Sequence, residues 1–301
     1  MNRQLRGSLL LLITAIIWGV AFVAQDVGME FWSPFAFNGI RNFIGAAVLL
    51  PVIFFRDKSR GNMAKKWNDK TLITGGVLCG IALCSATCFQ QYGISLSDQS
   101  AGKAGFITAF YIVLVPIAGL FIKKKCPVIA YVAAVFATVG LYILCIPEGV
   151  AFKVEFADVL VFVCALIFTV QILLVDHYSP KVDGVKLAFI QFLTSAVISI
   201  VGAFVTDSFS VVFNIEAWIP ILYAGVLSSG VAYTLQIVGQ KDLNPTVASI
   251  IMSLEACVSV IAAWVIQGKG MDERQITGCV IMFAAIILAQ IPMPQKKEKK
   301  L

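Results

Sequence analysis

Glu255 is a carboxylate about ten residues into an apolar run that spans 245–266. A charge at that depth in hydrocarbon costs a few kcal/mol, so the side chain must face protein or water. It reads as a cation ligand or a proton-coupling group, or as a structural acceptor for hydroxyl and backbone donors. Arg41 lies about seven residues into the run 34–55, or ~10 Å along a helix. It could hold a substrate carboxylate, pair with an acid or reach back to the interface. Trp18, Phe22 and Gln25 recur at helical spacing and share one face, suited to a cavity wall or to helix packing. Gln90, Gln91, Gln171, Gln191 and Gln236 all fall inside apolar runs, where an amide bonds across helices for about 0.6 kcal/mol. Gln91, Gln171 and Gln236 are the candidates for a cavity role. Tyr111, Tyr233 and Phe168 complete the aromatic set; the tyrosines offer a ring to pack and a polar tip.

Other reactive types carry weaker signals. His177 is the only histidine and stands beside Asp176 at the end of a run, where a solvated role outweighs a proton relay. The eight cysteines form no CxxC pair and read as small packing residues, so neither a metal site nor a disulfide framework is expected. Lys103 reads as snorkelling from the end of its run.

The elements that position these groups follow from composition. The chain has 301 residues, 59% hydrophobic and 13% charged, with mean hydropathy +0.90. That is about half the charge of a soluble domain, and the apolar excess needs lipid as a second apolar phase. Ten runs approach the length of a membrane-crossing helix: roughly 8–28, 34–55, 72–92, 100–122, 127–146, 156–177, 184–206, 217–240, 245–266 and 275–292. They are continuous rather than alternating, which excludes a β-barrel. The first continues for about twenty residues behind Arg3 and Arg6 and is expected to remain as a span rather than be cleaved.

Charge sets the expected orientation. With the N-terminus inside, Arg3, Arg6, Arg56, Lys58, Arg60, Lys65, Lys66, Lys70, Lys123, Lys124, Lys125, Lys181, Lys186, Lys241 and the lysines from Lys296 to Lys300 fall inside. Only Lys153, Lys269 and Arg274 fall outside. The positive-inside rule therefore predicts an even number of spans with both termini cytoplasmic. The net charge of +6 is explained by these loops, not by nucleic acid.

The chain also repeats itself. Ala15-Ile16-Ile17-Trp18 aligns with Ala165-Leu166-Ile167-Phe168, and the same offset pairs Asp26 with Asp176. A slightly shorter offset pairs Gly80 with Gly225 and Gln91 with Gln236. Five spans per half is an odd number, so the second half enters the membrane inverted. The fold expected is an all-α membrane protein of ten transmembrane helices in two inverted five-helix repeats. The first repeat is residues 1–150, the second 151–292, and a basic cytoplasmic tail occupies 293–301.

Three segments carry a family resemblance: Ile17-Trp18-Gly19-Val20-Ala21-Phe22, Arg41-Asn42-Phe43-Ile44-Gly45-Ala46-Ala47, and Ser253-Leu254-Glu255-Ala256 after Asn244-Pro245. Together they resemble the ten-helix EamA-type carriers of the drug/metabolite transporter superfamily. Two positions depart from that pattern: Ala256 stands where proline is usual, and Phe168 where a second tryptophan is usual. The resemblance implies a central cavity lined by spans one to four and six to nine. It implies spans five and ten at the periphery, with a possible homodimer contact there, and alternating access by rocking of the halves.

The function expected is secondary transport in a bacterial inner membrane, with a small-molecule substrate, the lipid bilayer as surroundings and no cofactor. The chain has no Walker-type GxxxxGK[ST] segment, and no intramembrane HExxH, aspartate pair or Ser-His dyad that would suit an enzyme. A channel or receptor is a competing class. Two substrate classes stand side by side: an organic cation in an aromatic cage with Glu255, or a polar metabolite such as an amino acid or nucleoside held by Arg41 and the glutamines.

Overall fold

The computed structural model describes residues 3–59, 67, 69–96, 101–122, 126–146, 154–206, 214–268 and 270–291. The loop lysines at 65–66, 123–125, 153 and 269, Arg60, the side chain of Lys103 and the 293–301 tail lie outside the described residues. Among the described residues, nine helices are long and apolar enough to cross a membrane: α1 (Arg3–Gly28), α2 (Pro34–Ser59), α3 (Lys70–Ser95), α4 (Ala104–Phe121), α5 (Val128–Cys145), α6 (Phe156–Tyr178), α7 (Gly184–Val205), α8 (Ile215–Gln240) and α9 (Pro245–Ile266). The tenth, α10 (Glu273–Ala289), has 17 residues and spans ~25 Å at the usual helical rise. Local chemistry sets the starts. Asp69, Asp183, Asn214, Asn244 and Asp272 each accept a backbone N–H of the first turn, and Pro34 and Pro245 open α2 and α9, where no N–H is needed.

The two ends of the bundle differ in charge. Close approaches put the start of α1 beside the end of α8 (Gly7 against Gly239), and the start of α3 beside the end of α6 (Gly75 against Tyr178). Arg56 and Asp57 at the end of α2 pair with Asp183 and Lys186 at the start of α7. Arg6, Arg56, Lys181 and Lys241 line one vestibule there. At the opposite end, Trp32 Nε1 donates to the Ala217 carbonyl at 2.9 Å and Arg274 Nε to the Ile146 carbonyl at 3.0 Å.

Packing reveals an approximate two-fold relation between the halves. Gly225 of α8 meets Ile44 and the Arg41 carbonyl of α2, while Gly80 of α3 meets Thr194 and the Gln191 carbonyl of α7. Gly239 meets the Gly7 carbonyl and Leu11 of α1, while Gly93 meets the Ala157 carbonyl and Val161 of α6. On the axis, Gly140 of α5 and Gly278 of α10 each face the other's carbonyl. A Cβ on Gly278 would sit 2.6 Å from the Leu144 nitrogen, so these backbones touch directly.

These contacts define twin positions. Residues of α1 and α2 have their twins 150 further on in α6 and α7, as Gly7 to Ala157 and Arg41 to Gln191 show. In α8 the segment Tyr223–Tyr233 is wound as a wider π-helix, which inserts one residue. The α3-to-α8 offset is therefore 145 in the first turn of that segment (Gly80 to Gly225) and 146 beyond its end (Gly93 to Gly239). The constant shorter offset expected from sequence, which paired Gln91 with Gln236, does not hold across the insertion. The structural twin of Gln236 is Gln90.

Two further interruptions are also twins. α4 breaks at Ala109–Phe110 and resumes at Tyr111. α9 breaks at Ser253–Leu254 and resumes at Glu255. At each break, shorter bonds replace the regular ladder: Ile112 N–H to the Ala109 carbonyl at 3.0 Å, and Ala256 N–H to the Ser253 carbonyl at 3.1 Å. In α9 the hydroxyls of Ser249 and Ser253 bond back to the carbonyls of Thr246 and Ile250, both at 2.8 Å. Such back-bonding bends a helix.

Candidate functional site

The breaks of α4 and α9 meet at the centre of the bundle. Tyr111 Oη donates to Glu255 Oε1 at 2.9 Å, joining the first residue after each break across the two repeats. Glu255 is 4% exposed. No basic residue lies within 4 Å of its carboxylate among the described residues.

Around this contact is a cavity of about 40 Å³ lined by α1, α2, α3, α4, α6, α8 and α9. Nine residues singled out from sequence line it: Trp18, Phe22, Gln25, Arg41, Tyr111, Phe168, Tyr233, Gln236 and Glu255. Gln91 and Gln171 are outside the lining. Gln90, Ala21, Thr108, Ile172, Ser228 and Met252 complete it, and these six were not candidates in the sequence reading. The π-helix explains the exchange of Gln91 for Gln90, because the inserted residue rotates α8 relative to its twin. α5, α7 and α10 contribute no lining residue. A second, larger space of about 810 Å³ is the basic vestibule, whose wall includes Thr234 and Ile237 of α8. The adjacent Tyr233 and Gln236 face the cavity, so α8 separates the two spaces.

The aromatic wall is tightly joined. The Trp18 and Tyr233 rings lie 4.5 Å apart, and Trp18 Nε1 donates to the Ser228 carbonyl at 3.4 Å. That carbonyl belongs to the π-helix. Gly19 brings α1 so close to α9 that a Cβ there would lie 2.7 Å from the Glu255 carbonyl.

The amide wall is a ladder. Gln236 Nε2 donates to Gln171 Oε1, and Gln171 Nε2 donates to Gln191 Oε1, each at 3.2 Å. Gln236 Oε1 is buried without a hydrogen-bond partner while its residue lines the cavity. Gln171 therefore acts from behind the wall by holding Gln236.

The guanidinium wall is sparser. Arg41 is 2% exposed; its Nη1 donates to Gln25 Oε1 at 3.0 Å, and its Nε has no partner. No carboxylate lies within 4 Å of it among the described residues. Gln90 Nε2 donates to Thr108 Oγ1 at 3.1 Å. A buried cation without a counter-ion is costly. Among the described residues there is no cluster of three histidine, cysteine or acidic side chains to hold a metal.

The fold is that of a multi-pass membrane protein whose central cavity mixes aromatic and polar groups. The chain belongs to the EamA-like transporter family, which matches it twice, over residues 5–146 and 155–290. Two relatives span nearly the same length. An uncharacterized transporter of Archaeoglobus fulgidus is 29% identical over 96% of this chain and 87% of its own. The uncharacterized transporter YoaV of Bacillus subtilis is 21% identical over 94% and 96%. The crystal structure of another protein shares the fold, with a TM-score of 0.76 at 16% identity over 94% of this chain and 96% of that one.

Proposed function

We propose that this protein is a secondary carrier that moves a small polar solute across a bacterial cytoplasmic membrane by alternating access. The observation that carries this reading is the central cavity: one guanidinium without a counter-ion among the described residues and one carboxylate share it with aromatic rings and amides. A wall of that kind recognises a polar occupant, whereas a purely structural core would be apolar or fully paired. The repeats 1–150 and 151–292 interleave, α3 packing on α6 and α7 and α1 on α8 and α9, so each moving part combines helices of both. Gly19, Gly45, Gly80 and Gly225 admit the side chains of Val258, Ser229, Thr194 and Ile44 where a Cβ would clash, so the helices of the two repeats pack closely. The basic end faces the cytoplasm and carries both termini, following the positive-inside rule.

The rings of Trp18, Tyr111, Phe168 and Tyr233 near Glu255 favour a cationic group at that end of the solute. Counterflow in proteoliposomes tests the reading with panels of cationic, zwitterionic and neutral metabolites. Wild type is expected to exchange at least one class with saturation, and Glu255→Gln to slow solutes with a cationic group at least tenfold while sparing neutral ones. Unsaturable, continuous ion current with no counterflow would make the protein a channel. Equal loss of cationic and neutral solutes would make Glu255 structural.

A further inference from the structure

The two walls of the cavity are twins built from different residues. In the second repeat the wall is Gln236–Gln171–Gln191, bonded end to end. The twin positions in the first repeat are Gln90, Ala21 and Arg41. Gln236 corresponds to Gln90 because Gly239 and Gly93 make matching contacts beyond the π-helix. Gln171 corresponds to Ala21 because α1 and α6 are unbroken helices whose register is set by the Gly7/Ala157 and Leu11/Val161 pairs. Gln191 corresponds to Arg41 because each presents its carbonyl to the twin glycines Gly80 and Gly225.

The middle rung is thus present in one wall and cut to a methyl group in the other. The consequence is visible in the lining. Gln171 and Gln191 lie behind the cavity surface, whereas Ala21, Gln90 and Arg41 all line it. The guanidinium that takes the place of Gln191 is buried, carries an unpartnered Nε and has no carboxylate within 4 Å among the described residues. Gln25 occupies only its Nη1 edge.

We propose that the gap over Ala21 is a carboxylate subsite, in which the solute's own planar –COO⁻ takes the place that the Gln171 amide fills in the twin wall. A carboxylate has the shape of a carboxamide with two acceptors, and it supplies the anion that Arg41 lacks. The free Nε side of the guanidinium offers it a two-point, charge-assisted contact. Gln90 and Gln25 bound the space, and Ala21 is the specificity-determining residue because its small size leaves the subsite open. This inference rests on the carrier reading and narrows it to solutes bearing a carboxylate.

Ala21→Gln is the test, because it restores the rung from the protein side and occupies the subsite. The probes are lactate, succinate, alanine and glutamate, each beside its methyl ester, read by thermal shift and by proteoliposome uptake. At least one acid is expected to stabilise wild type while its ester does not. Ala21→Gln is expected to keep the melting temperature of ligand-free wild type and to weaken that acid at least tenfold. Ala21→Val, which narrows the gap with a smaller side chain, is expected to weaken that acid at least threefold and serves should the larger side chain fail to fold. Equal shifts from acid and ester, or acid binding unaffected by Ala21→Gln, would overturn the subsite while leaving the carrier intact. Absence of any shift or uptake across all solute classes would instead sink the carrier reading, and the subsite with it.

Discussion

One wall of the cavity is bridged by a ladder of protein amides, and the other lacks its middle rung. Gln236, Gln171 and Gln191 bond one another in sequence, with Gln236 Oε1 and Gln191 Nε2 left unpartnered at the two ends. Gln90, Ala21 and Arg41 hold the same three places, yet there the middle side chain is missing and the last is charged. A duplicated fold can use its symmetry to carry rigidity on one side and recognition on the other. The lesson is that a two-fold repeat is read best through its mismatches. Conserved shape at the glycine contacts fixes the register, and the unequal side chains then mark the site.

Predictions follow from making the two walls alike, and the largest effect is structural. Gln171→Ala removes the rung that Gln236 and Gln191 share. It should cost about 2–4 kcal/mol, through a new void and two buried amides left unpaired. A lowered melting temperature of the ligand-free protein is the readout; an unchanged one would mean that water replaces the rung at no cost. Arg41→Gln comes next, giving the first wall the residue of its twin. It should weaken carboxylate solutes about tenfold to a hundredfold, since a charge-assisted bond is worth about 1.5–3 kcal/mol. Binding measured against the ester of the same solute separates this loss from misfolding. The smallest contrast is between neighbours. Gln90→Leu should weaken binding about threefold to tenfold, whereas Gln91→Leu should be neutral or slightly stabilising, because both amide atoms of Gln91 are buried without partners. Equal effects from the pair would dissolve the register drawn through the π-helix.

Much of this was legible in the sequence, and the exceptions have physical causes. Hydropathy reveals the spans because lipid forces every crossing segment to satisfy its own backbone as a helix. Glu255 and Arg41 stand out because a charge in such a segment needs a reason. The face Trp18, Phe22 and Gln25 follows from helical spacing and is found on the cavity. The breaks in α4 and α9 were not visible, since Ala109–Phe110 and Ser253–Leu254 carry no glycine or proline; the back-bonding serines Ser249 and Ser253 were the available signal. The π-helix was hidden for the same reason that it matters. It inserts one residue without a gap in the apolar pattern, which shifts the match from Gln91 to Gln90. Ala21 had no chemistry to notice, and its meaning comes only from standing where its twin is a glutamine.

The central claim is that the solute lies in the cavity between two unlike walls. A structure of the protein with its most stabilising carboxylate solute tests it most directly. Density for that solute is expected between Ala21, Gln90 and the Nε side of Arg41, with the rest of the molecule against Trp18, Tyr233 and Glu255. Solute confined to the basic vestibule lined by Arg6 and Lys241, with the Ala21 gap filled by a protein side chain, would contradict it.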